Sequence, residues 1–438
     1  SSCLPALSSP RGEAAFGTMG ACAASPRSTE RPERADASPS SRKPTLLMPA
    51  KEIKQGGIGH AQFILDKPGK IQDVYHMEQQ TLGQGTYGSV CKGRHKVTKA
   101  VRAIKTIPKG KMRNIERFKR EIAIMKMMDH PGIVKLYETF EDQRNIYLAM
   151  ELCEGGELFD KIIASGRFAE VEAAHVMQQV LRAIFYMHMN RICHRDLKPE
   201  NFLLLTKEPI LNNVLKIIDF GLSHDFKPGE FMSTRAGTPF YVAPEVLTSR
   251  YTERCDLWSA GVIMYVLLCG YPPFSGKSDG EVLSKVKQGC LHFSHRDWRN
   301  VSDDAKDLIR MLVKTSPQER LSAEQALQHA WIAQKAPKAA SVTLEESFVD
   351  RLRAFRAQNK FKKAVLHVIA GQLSSEQIRG LRNIYTSLDA NGDGLLTLAE
   401  LSGGLQQAGL EVGGRDLQEL VESIDADGSG VIDYTEFL

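Results

Sequence analysis

The stretch His194-Arg195-Asp196-Leu197-Lys198-Pro199-Glu200-Asn201 decides how the rest of the chain is read. Six of its eight side chains are polar or charged. A packed core seldom accepts such a cluster, because every buried charge must be paired or hydrogen-bonded. The stretch therefore reads as a loop that carries chemistry. A single short pattern, H-R-D-x-x-x-x-N, can arise by accident, so its weight depends on whether companion motifs stand in order on both sides.

Upstream, globular patterning begins at Tyr75. Gly83-Gln84-Gly85-Thr86-Tyr87-Gly88-Ser89-Val90 is a G-x-G-x-x-G-x-V run, and glycines there let the backbone approach phosphates closely. Dinucleotide-binding folds share this pattern but need the glycines to open a helix. Here Ser89–Lys92 and Val101–Ile107 read as strands, with Val101, Ala103, Lys105 and Ile107 alternating onto one face. A lysine on that apolar face reads as a paired charge, against the blander reading of a snorkelling surface lysine. A helix is expected from about Ile115 to Met128, with Ile115, Phe118, Ile122 and Met125 as its apolar stripe and Glu121 beside it. Asn145–Glu151 reads as a strand leaving through Leu152-Cys153-Glu154-Gly155-Gly156, and Glu170–Asn190 as a second long helix leading to His194.

Downstream, Phe202–Leu205 and Leu215–Ile218 are short apolar runs that suit buried strands, and Asp219-Phe220-Gly221 follows the second. Alone, that tripeptide is most often a turn. Ala243-Pro244-Glu245 closes a loop carrying Ser233, Thr234 and Thr238, and Asp256-Leu257-Trp258-Ser259-Ala260-Gly261 opens a helix expected to be buried.

With these motifs in order, residues 75–332 resemble a complete eukaryotic serine/threonine protein kinase domain. Lys198 after Leu197 matches the serine/threonine type rather than the tyrosine type. The resemblance implies ATP and Mg2+ as cofactors and assigns roles. Asp196 accepts the proton of the substrate hydroxyl, Lys198 steadies the transferred phosphate, and Asn201 and Asp219 hold Mg2+. Lys105, paired with Glu121, places the α and β phosphates under the Gly83, Gly85 and Gly88 loop. Leu82, Val90, Ala103 and Leu203 sandwich adenine, the backbone at Glu151 and Cys153 bonds it, and Met150 guards the pocket. Glu245 and Arg320 form a buried structural pair. Glu157 and Glu200 match positions that receive an Arg three residues before the phosphorylated Ser or Thr. On the loop before Ala243, Arg195 could receive a phosphate added at Ser233 or Thr234.

The C-terminal part is of another kind. Residues 341–371 include six basic and no acidic residues between Arg351 and Lys363, with Phe348, Leu352 and Phe355, then Phe361, Val365 and Val368, at helical spacing. This is a basic amphipathic helix of the sort that meets membranes or calmodulin-like grooves. Residues 376–438 then carry two twelve-residue EF-hand loops. The first offers Asp389, Asn391, Asp393, the Leu395 carbonyl and Glu400 to Ca2+. The second offers Asp425, Asp427, Ser429, the Val431 carbonyl and Glu436. Glycines 394 and 430 stand at the sixth position of each loop, where the turn requires them. Only Phe437 and Leu438 follow the second loop, so no exiting helix is expected in this sequence and the intact protein is expected to continue.

Together these parts resemble the calcium-dependent protein kinases, with two of the four EF-hands that the family usually carries. The expected fold class is α+β: a bilobal eukaryotic protein kinase fold followed by an all-α EF-hand region. The expected function is calcium-regulated phosphorylation of protein Ser/Thr substrates, preferring a basic residue before the site. The 341–371 helix is the expected intramolecular inhibitor, released by calcium. A non-catalytic calcium sensor that keeps a kinase fold is the competing class; its mark would be loss of Lys105, Asp196 or Asp219, and all three are present. The other alternative, activation by separate calmodulin, is opposed by the fused EF-hands.

Composition bounds the rest. The 438 residues suffice for two or three domains, and a net charge of +5 makes no case for nucleic acid. Charge is unevenly placed: from Asp389 onward there are eleven acidic residues and one basic, leaving the remainder at about +15. The eight cysteines are scattered without a C-x-x-C pair, as reduced thiols of a cytoplasmic protein would be. Residues 1–60 read as a disordered tail, with sixteen Ser or Pro in the first fifty. If Met19 were the true start, Gly20 and Cys22 could be acylated and anchor the chain peripherally to a membrane.

Overall fold

A computed structural model describes residues 64–85, 88–111, 115–165, 168–335, 370, 373, 377–410 and 412–438. The tail expected over 1–60 and all of the expected 341–371 helix except Ala370 lie outside the described residues.

A six-stranded sheet forms the N-terminal lobe. Its strands are β1 (Leu65–Pro68), β2 (Tyr75–Gly85), β3 (Gly88–His95), β4 (Val101–Pro108), β5 (Leu136–Glu141) and β6 (Asn145–Met150), in the order β1-β5-β6-β4-β3-β2. Ordered structure thus starts before Tyr75. Strand β1 pairs parallel with β5, Leu65 opposite Glu138, and Lys126 reaches Asp66 at 2.6 Å. So short a segment, ending in proline, shows no alternation by which sequence alone could find it. Register across β3, β4 and β6 sets Val90 opposite Lys105 and Ala103 opposite Met150. The expected one-sided alternation of β4 is incomplete. Ile104 is also buried, in a second small core with Ile71, Tyr75, Phe140 and Tyr147. Arg102 lies buried with its guanidinium 3.6 Å from the Tyr137 ring centroid.

The helix Ile115–Met127 buries Phe118, Glu121, Ile124 and Met125. Glu121 therefore sits within the buried stripe rather than beside it, and Ile122 is only partly covered. A carboxylate at that depth requires a partner, which Lys105 supplies.

The C-terminal lobe is built around two helices, Glu170–Met189 and Cys255–Cys269. The second is apolar almost all round and buried from Cys255 to Leu267, as a central helix must be. Gly261 permits its close approach to the next helix: a Cβ there would meet Leu312 Cβ at 2.7 Å. Arg320 is fully buried and grips Glu245 with both nitrogens, at 2.6 and 3.0 Å, beside the Trp258 ring.

Three helices, Arg379–Leu388, Leu398–Gln407 and Gly414–Ile424, form the C-terminal module around their own core of Tyr385, Leu388, Leu401, Leu417 and Ile424. The exiting element after the second loop is present as one turn, Tyr434–Phe437. This module packs on the kinase lobes. Thr435 donates from its backbone N–H and hydroxyl to Asp129, at 2.7 and 2.8 Å, and accepts from Lys135 Nζ at 2.9 Å. Leu395 packs against the main kinase core. Among the described residues, no helix is long and apolar enough to cross a membrane.

Candidate active site and calcium loops

The loop His194–Asn201 hangs from one buried carboxylate. Asp256, at the start of the central helix, accepts from the backbone N–H of His194 at 2.9 Å and of Arg195 at 2.8 Å, and pairs with His188 Nε2 at 2.9 Å. Burial alone would push the Asp256 carboxyl up. The His188 hydrogen bond and charge, with the backbone donors, bring it below the ordinary carboxylate value. Arg195 is held at φ +68°, a left-handed backbone that few side chains adopt.

Asp196 is clamped by two groups. Lys198 Nζ donates to its Oδ2 at 2.8 Å, and the Thr238 hydroxyl donates to its Oδ1 at 2.8 Å. Lys198 also reaches Thr238 Oγ1 at 3.3 Å. Asn201 gives its amide N–H to the Asp196 carbonyl at 2.9 Å, which fixes the side chain and orients its oxygen as an available acceptor. Thr238 appeared in the sequence only as one hydroxyl of the loop before Ala243, and Asp256 only as part of a motif. Their clamping roles depend on contacts spanning 42 and 61 or more residues, which no local pattern announces.

Across the cleft, Lys105 Nζ lies 3.2 Å from Glu121 Oε1. Burial pushes the Glu121 carboxyl up, Lys105 opposes that, and neighbouring Asp219 adds to it. Asp219 has φ +67° and accepts the Gly221 N–H at 3.2 Å. Arg117, on the same helix as Glu121, bonds the Gly221 carbonyl at 2.9 Å and so ties that helix to the D-F-G turn.

Lys105, Glu121, Asn201 and Asp219 border one cavity of about 640 Å³, whose lining does not include Asp196 or Lys198. It is lined by Leu82, Gly83, Val90, Ala103, Lys105, Glu121, Met150, Glu151, Cys153, Asn201, Leu203 and Asp219, so most of the expected nucleotide residues are brought together. Gly88 is not among them. A Cβ there would strike the Thr106 carbonyl at 1.9 Å, so this glycine is required by the hairpin's own packing. Gly85 pairs with it across the turn. At the hinge, the Glu151 N–H is given to the Lys135 carbonyl at 2.8 Å and its buried carboxylate pairs with Lys216 at 2.7 Å. The cavity also reaches Val134, Ile218, Lys92 and Glu154, which sequence reading did not single out; Lys92 and Glu154 form an ion pair at 2.8 Å at its rim. At its outer end stand Glu157, Asp160 and Glu200. Burial, with the charges of Asp160 and Glu200, pushes the Glu157 carboxyl up, the mark of an anionic patch short of a cation. Oxygen donors from Asn201 and Asp219 on one wall suit a hard divalent ion beside phosphates.

Arg195 donates to the Leu222 carbonyl at 2.6 Å and the Tyr251 hydroxyl at 3.0 Å. The Tyr251 hydroxyl in turn donates to the Thr234 carbonyl at 2.6 Å, so the loop is stapled by neutral partners.

The two acidic loops are folded around their ligand atoms. Asp389 accepts the N–H groups of Gly392 at 2.8 Å and Gly394 at 3.3 Å. Asp425 accepts those of Ser429 at 2.9 Å and Gly430 at 2.8 Å. Gly394 and Gly430 have φ +77° and +86°, the turn that the sixth position demands. Glu400 and Glu436 serve a second purpose: each closes a capping box with Thr397 or Asp433 and starts the exiting helix. An antiparallel bridge, Leu396 with Ile432, joins the loops. Burial pushes the Asp389 carboxyl up to about 7 and that of Asp393 to about 6. Asp425, Asp427 and Glu436 present oxygens within 4.8 Å of one another. Carboxylates gathered this closely favour a divalent cation among them, so the donor set fits Ca2+.

Comparison with known proteins agrees with this geometry. The protein kinase domain model matches residues 75–332, and a model of an EF-hand domain pair matches residues 378–438. Calcium-dependent protein kinase 3 of Plasmodium yoelii yoelii is 44% identical over 394 residues, covering 90% of this chain and 73% of that protein. Calcium-dependent protein kinase 5 of Plasmodium falciparum (isolate 3D7) is 44% identical over 379 residues, covering 86% of this chain and 66% of that protein. Calcium-dependent protein kinase 34 of Arabidopsis thaliana is 41% identical over 434 residues, covering 98% and 79%.

Proposed function

The chain belongs to the calcium-dependent protein kinases, and from that premise we propose how its residues divide the work of a calcium-regulated serine/threonine kinase. Asp196 orients the substrate hydroxyl and accepts its proton, while Lys198 moves with the transferred phosphate. Lys105, kept straight by Glu121, holds the α and β phosphates of ATP. Asn201 and Asp219 hold Mg2+, which when bound supplies charge neutralisation at the phosphates. The observation that carries this reading is the clamp on Asp196. A carboxylate held by Lys198 at 2.8 Å and Thr238 at 2.8 Å is positioned before substrate arrives, and positioning is most of what phosphoryl transfer needs.

The acidic group of Glu157, Asp160 and Glu200 supports a preference for Arg three residues before the phosphorylated Ser or Thr. Ca2+ is held by Asp389, Asn391, Asp393, Leu395 and Glu400 in the first loop and by Asp425, Asp427, Ser429, Val431 and Glu436 in the second. Control runs through the docked module and the basic 341–371 segment acting as an intramolecular inhibitor of the kinase. If Met19 is the true start, acylation at Gly20 and Cys22 is the route by which the chain would reach a membrane, and mass spectrometry of the native N-terminus tests it. The central experiment is phosphorylation of an Arg-x-x-Ser peptide by the full chain, with and without calcium and without calmodulin. Transfer that rises with calcium and vanishes in Asp196→Asn is expected. Equal rates with Arg or Ala at the third position before Ser would remove the substrate preference.

A further inference from the structure

The first calcium loop does not stand free: it is pressed against a kinase arginine. Arg182, on the helix Glu170–Met189, donates to the carbonyl of Thr386 at 3.2 Å and of Asp389 at 3.4 Å. Its guanidinium stands 4.0 Å from Asp389 Oδ2, the carboxylate at the first ligand position. The contact is tight. A Cβ at Gly392 would come within 2.9 Å of Arg182 Cγ, and one at Gly394 within 2.5 Å of His130 and 2.8 Å of Tyr186. Arg182 is largely buried, and its Nε has no hydrogen-bond partner among the described residues. Water therefore does little to screen this charge from the loop.

The second loop meets a different kinase surface. Asp129 and Lys135 both touch Thr435, and they stand 3.8 Å from each other, so their charges offset locally. The kinase carboxylate Glu324 also acts on the first loop, as a like charge that helps push the Asp393 carboxyl up. The first loop also has three carboxylates at its ligand positions, Asp389, Asp393 and Glu400. The second has four, with Asp433 at the ninth place.

We propose that Arg182 lowers the calcium affinity of the first loop while the module is docked on the kinase, widening the difference from the tighter second loop. This rests on the assignment of the two loops as calcium sites. A fixed positive charge beside the first ligand opposes the arrival of a divalent cation. By linkage, calcium in the first loop weakens the docked contact by the same factor. The kinase lobe thereby sets the calcium level at which its own regulatory module begins to let go, and the second loop keeps its ion below that level.

The test reads each loop separately in the full chain. Gly394 and Gly430 donate to the first carboxylate of their own loops, so the amide resonances of glycine-labelled protein report calcium at each site. Calcium is titrated into the wild type, Arg182→Gln and Arg182→Lys. The Gly394 midpoint in Arg182→Gln should move to about threefold to tenfold lower calcium, as expected for removing one charge several ångströms from a divalent ion in salt. The Gly430 midpoint should stay, and Arg182→Lys should resemble the wild type. A Gly394 midpoint that stays or rises in Arg182→Gln overturns the proposal. So does an equal shift in Arg182→Lys, which would trace the effect to lost hydrogen bonds rather than charge. If neither glycine responds to calcium in the wild type, the loop assignment itself fails and the inference falls with it.

Discussion

Asp256→Asn isolates the post on which the catalytic loop hangs. The wild-type carboxylate accepts three hydrogen bonds, from His194 N, Arg195 N and His188 Nε2, all between 2.8 and 2.9 Å. An asparagine offers one oxygen and turns an N–H pair toward the remaining donors, so at most one of the two backbone N–H groups keeps its partner. His194 N and His188 Nε2 share Oδ2, so an oxygen kept there loses the Arg195 bond alone; at the strength of a hydrogen bond to a buried charge this gives about 1.5–3 kcal/mol of destabilisation. Arg195 is then free to leave its φ of +68°, and Asp196 moves with it. We expect kcat for a peptide substrate to fall by more than about tenfold, since small displacements of reacting groups are costly, while ATP affinity, set across the cleft by Lys105 and Glu121, changes little. The pH dependence has a definite sign. Asp256 has a folded value below its unfolded one, so its stabilisation is full above the unfolded carboxylate value and is lost as pH falls through the folded value. Urea midpoints of wild type and variant should therefore converge on acidification from pH 7. A variant with wild-type kcat and midpoint at pH 7, or a gap that widens in acid, would refute this account of the loop.

Three further outcomes follow from other contacts. Glu245→Gln leaves the fully buried Arg320 without its counter-charge and should cost about 3–5 kcal/mol in denaturant unfolding, with the active-site geometry otherwise intact. Glu121→Gln keeps the shape of the pair with Lys105 but not its charge; kcat should drop by about tenfold or more while calcium binding by calorimetry is unchanged. Glu400→Gln and Glu436→Gln should each weaken calcium binding and also loosen the exiting turn that the glutamate caps, visible as lower helicity without calcium, with nucleotide affinity unaffected.

What was legible in the sequence is what local chemistry must spell out. Catalytic groups for phosphoryl transfer and oxygen ligands for calcium occupy short, ordered spacings, because one loop must present them together; Asp196 with Asn201, or Asp389 with Asp393 and Glu400, could be read without a fold. The helix Glu170–Met189 was readable from its helical pattern, and Cys255–Cys269 from its continuous apolar run. The tertiary structure alone decided which residues hold those groups still. Thr238 on Asp196, Asp256 under the loop, and β1 against β5 join positions far apart in the chain, and pairing at such distance leaves no period or spacing behind. It also showed a packing demand on Gly88 that the motif does not announce: the missing side chain makes room for the Thr106 carbonyl. The contact of the first calcium loop with Arg182 belongs to the same class. Asp389 was legible in its own loop, but Arg182 gains meaning only because two separately patterned modules bury a charge and a carboxylate against each other.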